Sequence, residues 1–551
     1  MRSAPPATQP ADVLQLELVA AEWVRIQLVL RFRPSAAISA AQRLRLWLTR
    51  EGANGPRGRM APTRLWLDGD ELVARFNVMQ GPGLAPLEPG TWRLAASAVG
   101  GATKEARTVE VADPGDVAGR TSPATFQTPA GVYAVRLGHA AGASVKLDVD
   151  LDRHPAGGPD ANRTRVSLKR RIARGVGRPV FRSVVGTVRR VTRRRRPAIL
   201  FTSQTRSRLG GNLAVVHDRM VERGLLRDVE VFHAFRPPHG TWPVREWLRL
   251  AWQLGRARVI VLDDFHAIVA LIDDPRSWIV QLWHASGVVK TILYSRIGKP
   301  DGPDPWSRHY RNFRYAIVGS EGDVPYFAEA FGIPEDRVIA TGIPRMDRFL
   351  GDEALVAGRE AALAAHPAAR GRFVILFAPT FRGVGQGRSY DVGVLDYAAL
   401  HALCIEKDAV FVIRLHPRLR PDLRIPEAYR DRLLDGTDVA TDAPDILFAT
   451  DLLITDYSSI IFEFATLGRP MLFFAPDLEA YRGEVDFYEE YESLVPGRIV
   501  RTMDELVDAI RRGDYAADRI PGFVQRHLAH LDGRATDRVI DQLIVPGLRG
   551  R

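Results

Sequence analysis

From Pro197 onward the chain repeats one pattern, in which a short apolar run is followed by a longer stretch with helical spacing and then by another apolar run. That alternation is the signature of parallel strands layered against helices. Strands are expected at Ala198–Thr202, Val229–Phe235, Val259–Leu262, Ile279–Trp283 and Ala316–Gly319. A second series is expected at Phe373–Ala378, Val410–Leu415, Leu452–Thr455 and Met471–Phe474, after an alanine-rich helical stretch near Glu353–Ala365. The pattern implies two α/β domains of comparable size with a cleft between them.

Residues 1 to about 152 read as β instead. Val24, Ile26, Leu28, Leu30 and Phe32 alternate with mostly polar neighbours, as do Leu44, Leu46 and Leu48, and later Val145, Leu147, Val149 and Leu151. Period-2 spacing puts one face of each strand on a core. Turn signals at Asp68-Gly69, Pro89-Gly90, Gly100-Gly101 and Pro129 to Gly131 divide the strands. A small sandwich-like all-β domain is expected, without a catalytic cluster.

Charge is concentrated between these regions. The 551 residues carry +11 overall, but Arg163 to Arg196 hold 14 basic residues and no acid, which leaves the remainder at −3. Apolar residues from Val166 to Val188 recur there at roughly helical spacing, while Gly175, Gly177 and Pro179 interrupt them. A basic, amphipathic, discontinuous helix is the shape suited to an anionic membrane surface, where each cation adds about 1 kcal/mol. Arg170, Arg171, Arg193, Arg194, Arg195 and Arg196 are the expected contacts, and a solvated or partner-binding arm is the plainer alternative. Phe181 is its one aromatic residue, which disfavours nucleic acid. The single cysteine, Cys404, excludes an intramolecular disulfide framework and fits a reducing cytoplasm. Met1 to Asp12 carries no secretory pattern, and no apolar run approaches the ~18 residues of a membrane span. A peripheral protein on the inner face of the membrane is expected.

Parallel sheets bind ligands beyond the carboxyl ends of their strands. Those ends present His284-Ala285-Ser286-Gly287, Ser320-Glu321, Gly342-Ile343-Pro344-Arg345, Pro379-Thr380, His416-Pro417 and Asp456-Tyr457-Ser458-Ser459. Ser458 or Ser459 opens a helix that Gly468 closes, which reads either as simple capping or as a phosphate site. His284 and His416 are the candidates for proton transfer, and Arg345 for a fixed charge on phosphate. There is no Walker loop, no Gly-x-Gly-x-x-Gly fingerprint and no zinc-ligand spacing, so no cofactor or metal is expected.

At this point the sequence resembles a known family. Val259 to His266, Gln281 to Lys290, Tyr294-Ser295-Arg296, Gly342 to Asp347, Ala378 to Arg382, His416-Pro417, Thr455 to Ser459 with Glu463, and Pro496 to Val500 are similar, in order and spacing, to the CDP-glycerol glycerophosphotransferases of teichoic acid synthesis. The resemblance implies a GT-B fold of two Rossmann-like domains, at 198–345 on the acceptor side and 346–551 on the CDP-donor side. These follow the accessory domain at 1–152 and a linker with basic segment at 153–197. It implies that His284 and His416 are catalytic, with His284 as general base. It assigns donor binding to Ser286, Gly287, Arg345, Thr380, Phe381, Arg414, Ser458, Ser459 and Glu463. Glycerol phosphate, or a related polyol phosphate, would pass from CDP-glycerol or another CDP-polyol to a hydroxyl of a lipid-linked envelope glycan or teichoic-acid-like polymer, with release of CMP. The loop from His284 to Lys290 is one residue longer than in much of the family, and Glu463 stands where Asp is frequent. A GT-B nucleotide-sugar glycosyltransferase and a non-catalytic binder of envelope polymer are the alternatives.

Overall fold

The computed structural model describes residues 14–35, 43–53, 58–99, 106–140, 144–153, 168–192, 195–235, 244–272, 274, 277–299, 302–380, 382, 390–415, 423–437 and 445–550. The chain is mixed α/β and divides into two compact units, one of Met1–Arg170, Leu293–Arg311 and Glu329–Glu335, and one of the remaining segments.

The first unit holds an eleven-stranded sheet built between Gln15 and Arg153. The alternation from Val24 to Phe32, read above as a single run, is instead divided by a hairpin. Gln15–Val24 pairs antiparallel with Gln27–Pro34, and Arg25 turns the chain at φ 57°. No glycine marks that turn, so the apolar period runs through it unbroken. The inserted segments complete this unit, as Arg25 pairs with Glu329 at 2.7 Å and Arg311 donates to the Met79 carbonyl at 2.8 Å. The unit therefore draws on residues well beyond the expected 1–152.

The second unit contains two six-stranded sheets, every strand pair parallel. The first runs Glu230–Phe235, Ala198–Ser203, Val259–Leu262, Trp278–Gln281, Tyr315–Val318, Val338–Ala340. The second runs Leu433–Asp435, Ala409–Ile413, Phe373–Phe377, Leu452–Thr455, Met471–Phe474, Arg498–Val500. Strand order reverses once in each, beside Ala198–Ser203 and beside Phe373–Phe377, and such switch points open a crevice for ligands.

Alternation explains why the central strands are apolar throughout. Val374, Leu376, Val410 and Val412 enter one core, which also contains Val259, Val280 and Ile317 of the first sheet, while Ile375, Phe377, Phe411 and Ile413 enter a second core. Both faces are buried, as parallel sheets require. The last helices return to the first sheet. Arg219 and Arg223 bind Asp537, and Trp278 Nε1 donates to the Leu543 carbonyl at 2.6 Å.

The basic segment differs from expectation. Leu168–Val191 is one helix of 24 residues, continuous through Gly175, Gly177 and Pro179. Its second half is pinned by packing. Phe181 is fully buried with its ring 5.0 Å from that of Trp247, Gly255 lies under Val188, and Arg189 pairs with Asp274 at 2.7 Å. Burying an aromatic of this size is worth about 1.5–3 kcal/mol. Arg190, Arg195 and Arg196 are exposed, the side chains of Arg170 and Arg171 are not among those described, and Arg193 and Arg194 lie outside the described residues. Among the described residues no helix is long and apolar enough to cross a membrane.

Candidate active site

The site begins at the switch point of the first sheet. Ala198–Ser203 leads to Arg206 and Val259–Leu262 to Asp263 and Asp264. Arg206 Nε donates to Asp263 Oδ2 at 2.7 Å. Asp263 is 1% exposed, and burial raises its carboxyl above the ordinary value despite that cation.

The next strand ends at Gln281, two residues earlier than expected, because Trp283 turns the chain at φ 52°. A bulky aromatic in the left-handed region costs of the order of 1–3 kcal/mol. The turn presents His284, whose Nδ1 lies 3.5 Å from Asp264 Oδ1 and whose ring centroid is 4.5 Å from that of Trp283. Its side chain is 48% exposed, so the ring opens onto solvent while protein crowds its sides. Burial is the largest influence on it and pushes the imidazole below its ordinary value, against the pull of Asp264 and Asp263.

Arg345 reaches this turn from the end of Val338–Ala340. Gly342, at φ 77°, allows the approach, since a Cβ there would lie 2.8 Å from the His530 carbonyl oxygen. The Arg345 guanidinium donates to the His284 carbonyl, to Ser286 Oγ at 3.0 Å and to the Glu463 carboxylate. Ser286 Oγ also donates to Glu463 Oε1 at 2.8 Å. Glu463, 5% exposed, belongs to the helix Ile460–Ala465 of the second sheet. Gly287 lets the two meet, because a Cβ there would lie 2.4 Å from the Phe462 ring. Arg345 and Glu463 are thus joined to each other, and Gly287 packs against an aromatic ring. Beyond Gly287 the loop continues to Thr291, whose N–H donates to the Asp486 carbonyl at 2.8 Å.

A second cluster occupies the other switch point. Asp456, fully buried after Leu452–Thr455, accepts from Thr380 N at 2.7 Å, from Tyr457 N at 2.6 Å and from Arg382 at 2.8 Å. Arg382 Nε also donates to Asp477 at 2.6 Å, and its guanidinium lies 4.9–5.0 Å from the ring centroids of Tyr390, Tyr457 and Tyr481. Burial opposes the charge of Arg382, yet Asp456 and Asp477 outweigh it and raise its pKa. Thr380 Oγ1 is buried with no hydrogen-bond partner among the described residues. Ser458 Oγ accepts from Ile460 N at a long 3.4 Å, and Ser459 makes no side-chain cap.

The expected residues therefore fall into two linked groups. His284, Ser286, Gly287, Arg345 and Glu463 come together, and Thr380 stands with Ser458 and Ser459 around Asp456. Arg414 is set apart: its N–H donates to the Phe377 carbonyl at 2.8 Å, and its charge adds to burial in lowering the His366 imidazole. His416 and Phe381 lie outside the described residues. Asp264, Arg206, Arg382 and Asp477 carry no assigned role in the sequence reading, although an acid or arginine within two to five residues of an apolar strand's end is the available signal. Among the described residues no group of three His, Cys, Asp or Glu side chains is placed to hold a metal ion.

At the two switch points and on the strands beside them, His, Arg, Ser and Thr follow strand ends, the place where open α/β sheets bind ligands. The family model for CDP-glycerol:poly(glycerophosphate) glycerophosphotransferase matches residues 185–545, and the chain belongs to that family. It is 38% identical over 370 residues to the teichoic acid ribitol-phosphate polymerase TarK of Staphylococcus aureus, covering 66% of this chain and 71% of that protein. It is 36% identical to the teichoic acid poly(ribitol-phosphate) polymerase of Bacillus spizizenii, covering 63% of this chain but only 56% of that one. The structure of the wall teichoic acid polymerase TagF shares the fold, with a TM-score of 0.54 and 20% identity over 69% of this chain and 97% of TagF.

Proposed function

We propose that the chain transfers a polyol phosphate from a CDP-linked polyol to a hydroxyl of a teichoic-acid-like acceptor, releasing CMP. One observation carries this reading: His284 beside Asp264 is tied through Arg345, Ser286 and Glu463 to the helix led by Ser458 and Ser459, within the part of the chain that the family matches. The two doubly wound sheets suit a GT-B arrangement, with residues 198–345 toward the acceptor and 346–551 toward the donor. A TagF structure obtained after soaking with CDPG supports a CDP-polyol donor. Ribitol phosphate is favoured over glycerol phosphate, because relatives named for ribitol phosphate are 36–39% identical and those named for glycerol phosphate 25–30%.

In this mechanism neutral His284 takes the proton of the acceptor hydroxyl as its oxygen attacks the β-phosphorus. The new O–P bond forms while the bond from that phosphorus to the CMP oxygen breaks, and CMP leaves with the electron pair. Thr380, Ser458 and Ser459 bind the donor phosphates, and the family resemblance puts forward Phe381 and Arg414 as further donor residues and His416 as the second catalytic candidate. Phosphoryl transfer demands mainly positioning and charge neutralisation, so no covalent intermediate is required. Purified protein is to be tested for CMP release with CDP-ribitol, CDP-glycerol and a panel of nucleotide sugars. Turnover with a sugar donor alone would overturn the proposal, as would polymer binding with no turnover of any donor.

The acceptor is proposed to be lipid-linked and the protein peripheral on the inner membrane face, supported by the cations of the Leu168–Val191 helix and the exposed Arg190, Arg195 and Arg196. Replacing those three by Ala should weaken co-sedimentation with phosphatidylglycerol vesicles, and unchanged sedimentation would refute the membrane role.

A further inference from the structure

The left-handed Trp283 stands immediately before His284, and an aromatic residue holds that conformation only where its surroundings over-determine it. Two buried amides do so. Gln281, with 0% exposure, accepts from Trp283 N through Oε1 at 2.8 Å and donates from Nε2 to the Asp264 carbonyl at 3.1 Å. Asn212, also 0% exposed, donates from Nδ2 to the Trp283 carbonyl at 2.8 Å and the Leu282 carbonyl at 3.3 Å. Its Oδ1 accepts from Arg345 N at 3.0 Å. Both polar groups of the Trp283 backbone are thus captured by side chains, and the same amides hold the backbones of Asp264 and Arg345.

We propose that Asn212 and Gln281 are positioning residues for the transfer, locking the Trp283 backbone so that the His284 ring is fixed relative to Asp264 and Arg345. The inference rests on His284 being the base. Each amide uses a donor end and an acceptor end at once, which a carboxylate of the same shape cannot do. Asn212→Asp deletes the bonds to the Leu282 and Trp283 carbonyls and keeps an acceptor for Arg345 N. Gln281→Glu deletes the bond to the Asp264 carbonyl and keeps the acceptor for Trp283 N.

Burial is the largest influence on the charge state of His284, and of the charged groups facing it Asp264 and Asp263 favour the protonated ring while Arg345 and Arg206 oppose it. A ring released from this frame returns to water. In the full chain carrying 13C-labelled histidine, the His284 resonance is assigned by its loss in His284→Ala. Its titration midpoint should rise toward the ordinary imidazole value in Asn212→Asp and in Gln281→Glu. It should rise likewise in Asn212→Ala and Gln281→Ala, which free the Trp283 backbone without adding a carboxylate that would itself favour the charged ring. Over the same variants kcat for CMP release should fall roughly 10–100-fold, the usual cost of losing an outer-shell partner, with donor KM little changed. Either variant suffices if the other does not fold. An unmoved midpoint, whether kcat is retained or is lost together with thermal stability, overturns the positioning role while leaving an inactive His284→Ala to support the base. Full turnover by His284→Ala overturns the base, and the inference with it.

Discussion

Arg345 and Glu463 form a buried ion pair that joins the last strand-end turn of the first sheet to the short helix after Thr455 in the second. Ser286, donating to the same carboxylate, adds the histidine loop to the junction. Glu463→Gln leaves the guanidinium buried without a counter-charge, a change that costs about 3–5 kcal/mol in comparable pairs. Urea unfolding should show a loss of that size. Arg345→Met combined with Glu463→Gln should recover much of it, because no buried charge then remains unpaired.

Protein crowding around His284 shifts its charging toward acid. Its imidazole lies below the ordinary ~6.5, so the neutral base persists to lower pH and the acid limb of kcat/KM should fall below that value. The Asp264 carboxylate favours the protonated ring, so Asp264→Asn should move the limb lower still. The same variant should reduce kcat roughly tenfold to a hundredfold, because the imidazolium formed during transfer loses its neighbour. A limb that moves upward would contradict this assignment.

Asp477 is shared between Arg382 and the Tyr457 hydroxyl, which donates to it at 3.0 Å. Burial alone would raise its carboxyl, but Arg382 prevails and holds it below the ordinary value. A carboxylate lowered by folding stabilises the native state above its unfolded value of about 3.9, and that contribution is lost as pH falls through the native value. Asp477→Asn should therefore be less stable at neutral pH and lose less on acidification below ~4, as followed by circular dichroism. Arg382→Lys keeps the charge but cannot bond two carboxylates and stack on three rings together, so a loss of about 1–3 kcal/mol is expected.

Gly287 is needed for close packing. An added Cβ would lie 2.4 Å from Phe462, whose ring is fully buried, and overpacking of that kind costs about 1–3 kcal/mol. Gly287→Ala should lower stability by that amount, and Phe462→Leu should relieve the clash, giving a coupling energy that a double-mutant cycle can measure.

Much of this architecture could be read before any coordinates. Leu452–Thr455 and Met471–Phe474 emerge as expected because each is an apolar run closed by a residue that cannot continue it. Other features left no local trace. The hairpin at Arg25 has no glycine, and the strand ending at Gln281 looks longer because Leu282 and Trp283 prolong its apolar run. Asn212, in the first turn of the helix Gly211–Glu222, reads as an ordinary surface polar residue, and only the fold buries it against two strand ends. The glycines and proline of the basic helix read as breaks, since the partners that hold its second half, Trp247, Gly255 and Asp274, are remote in sequence.

That docked half also acts as a phase reference. Phe181, Val185 and Val188 face the protein at helical spacing, which fixes the rotation of the helix that contains them. Backbone positions 171, 174 and 178 belong to the same continuous helix and inherit that rotation, so each stands at an azimuth about the axis that the dock has set, like teeth on one shaft. One residue inserted between 178 and 181 would turn those backbone positions by about 100° about the axis while Phe181, Val185 and Val188 keep their dock.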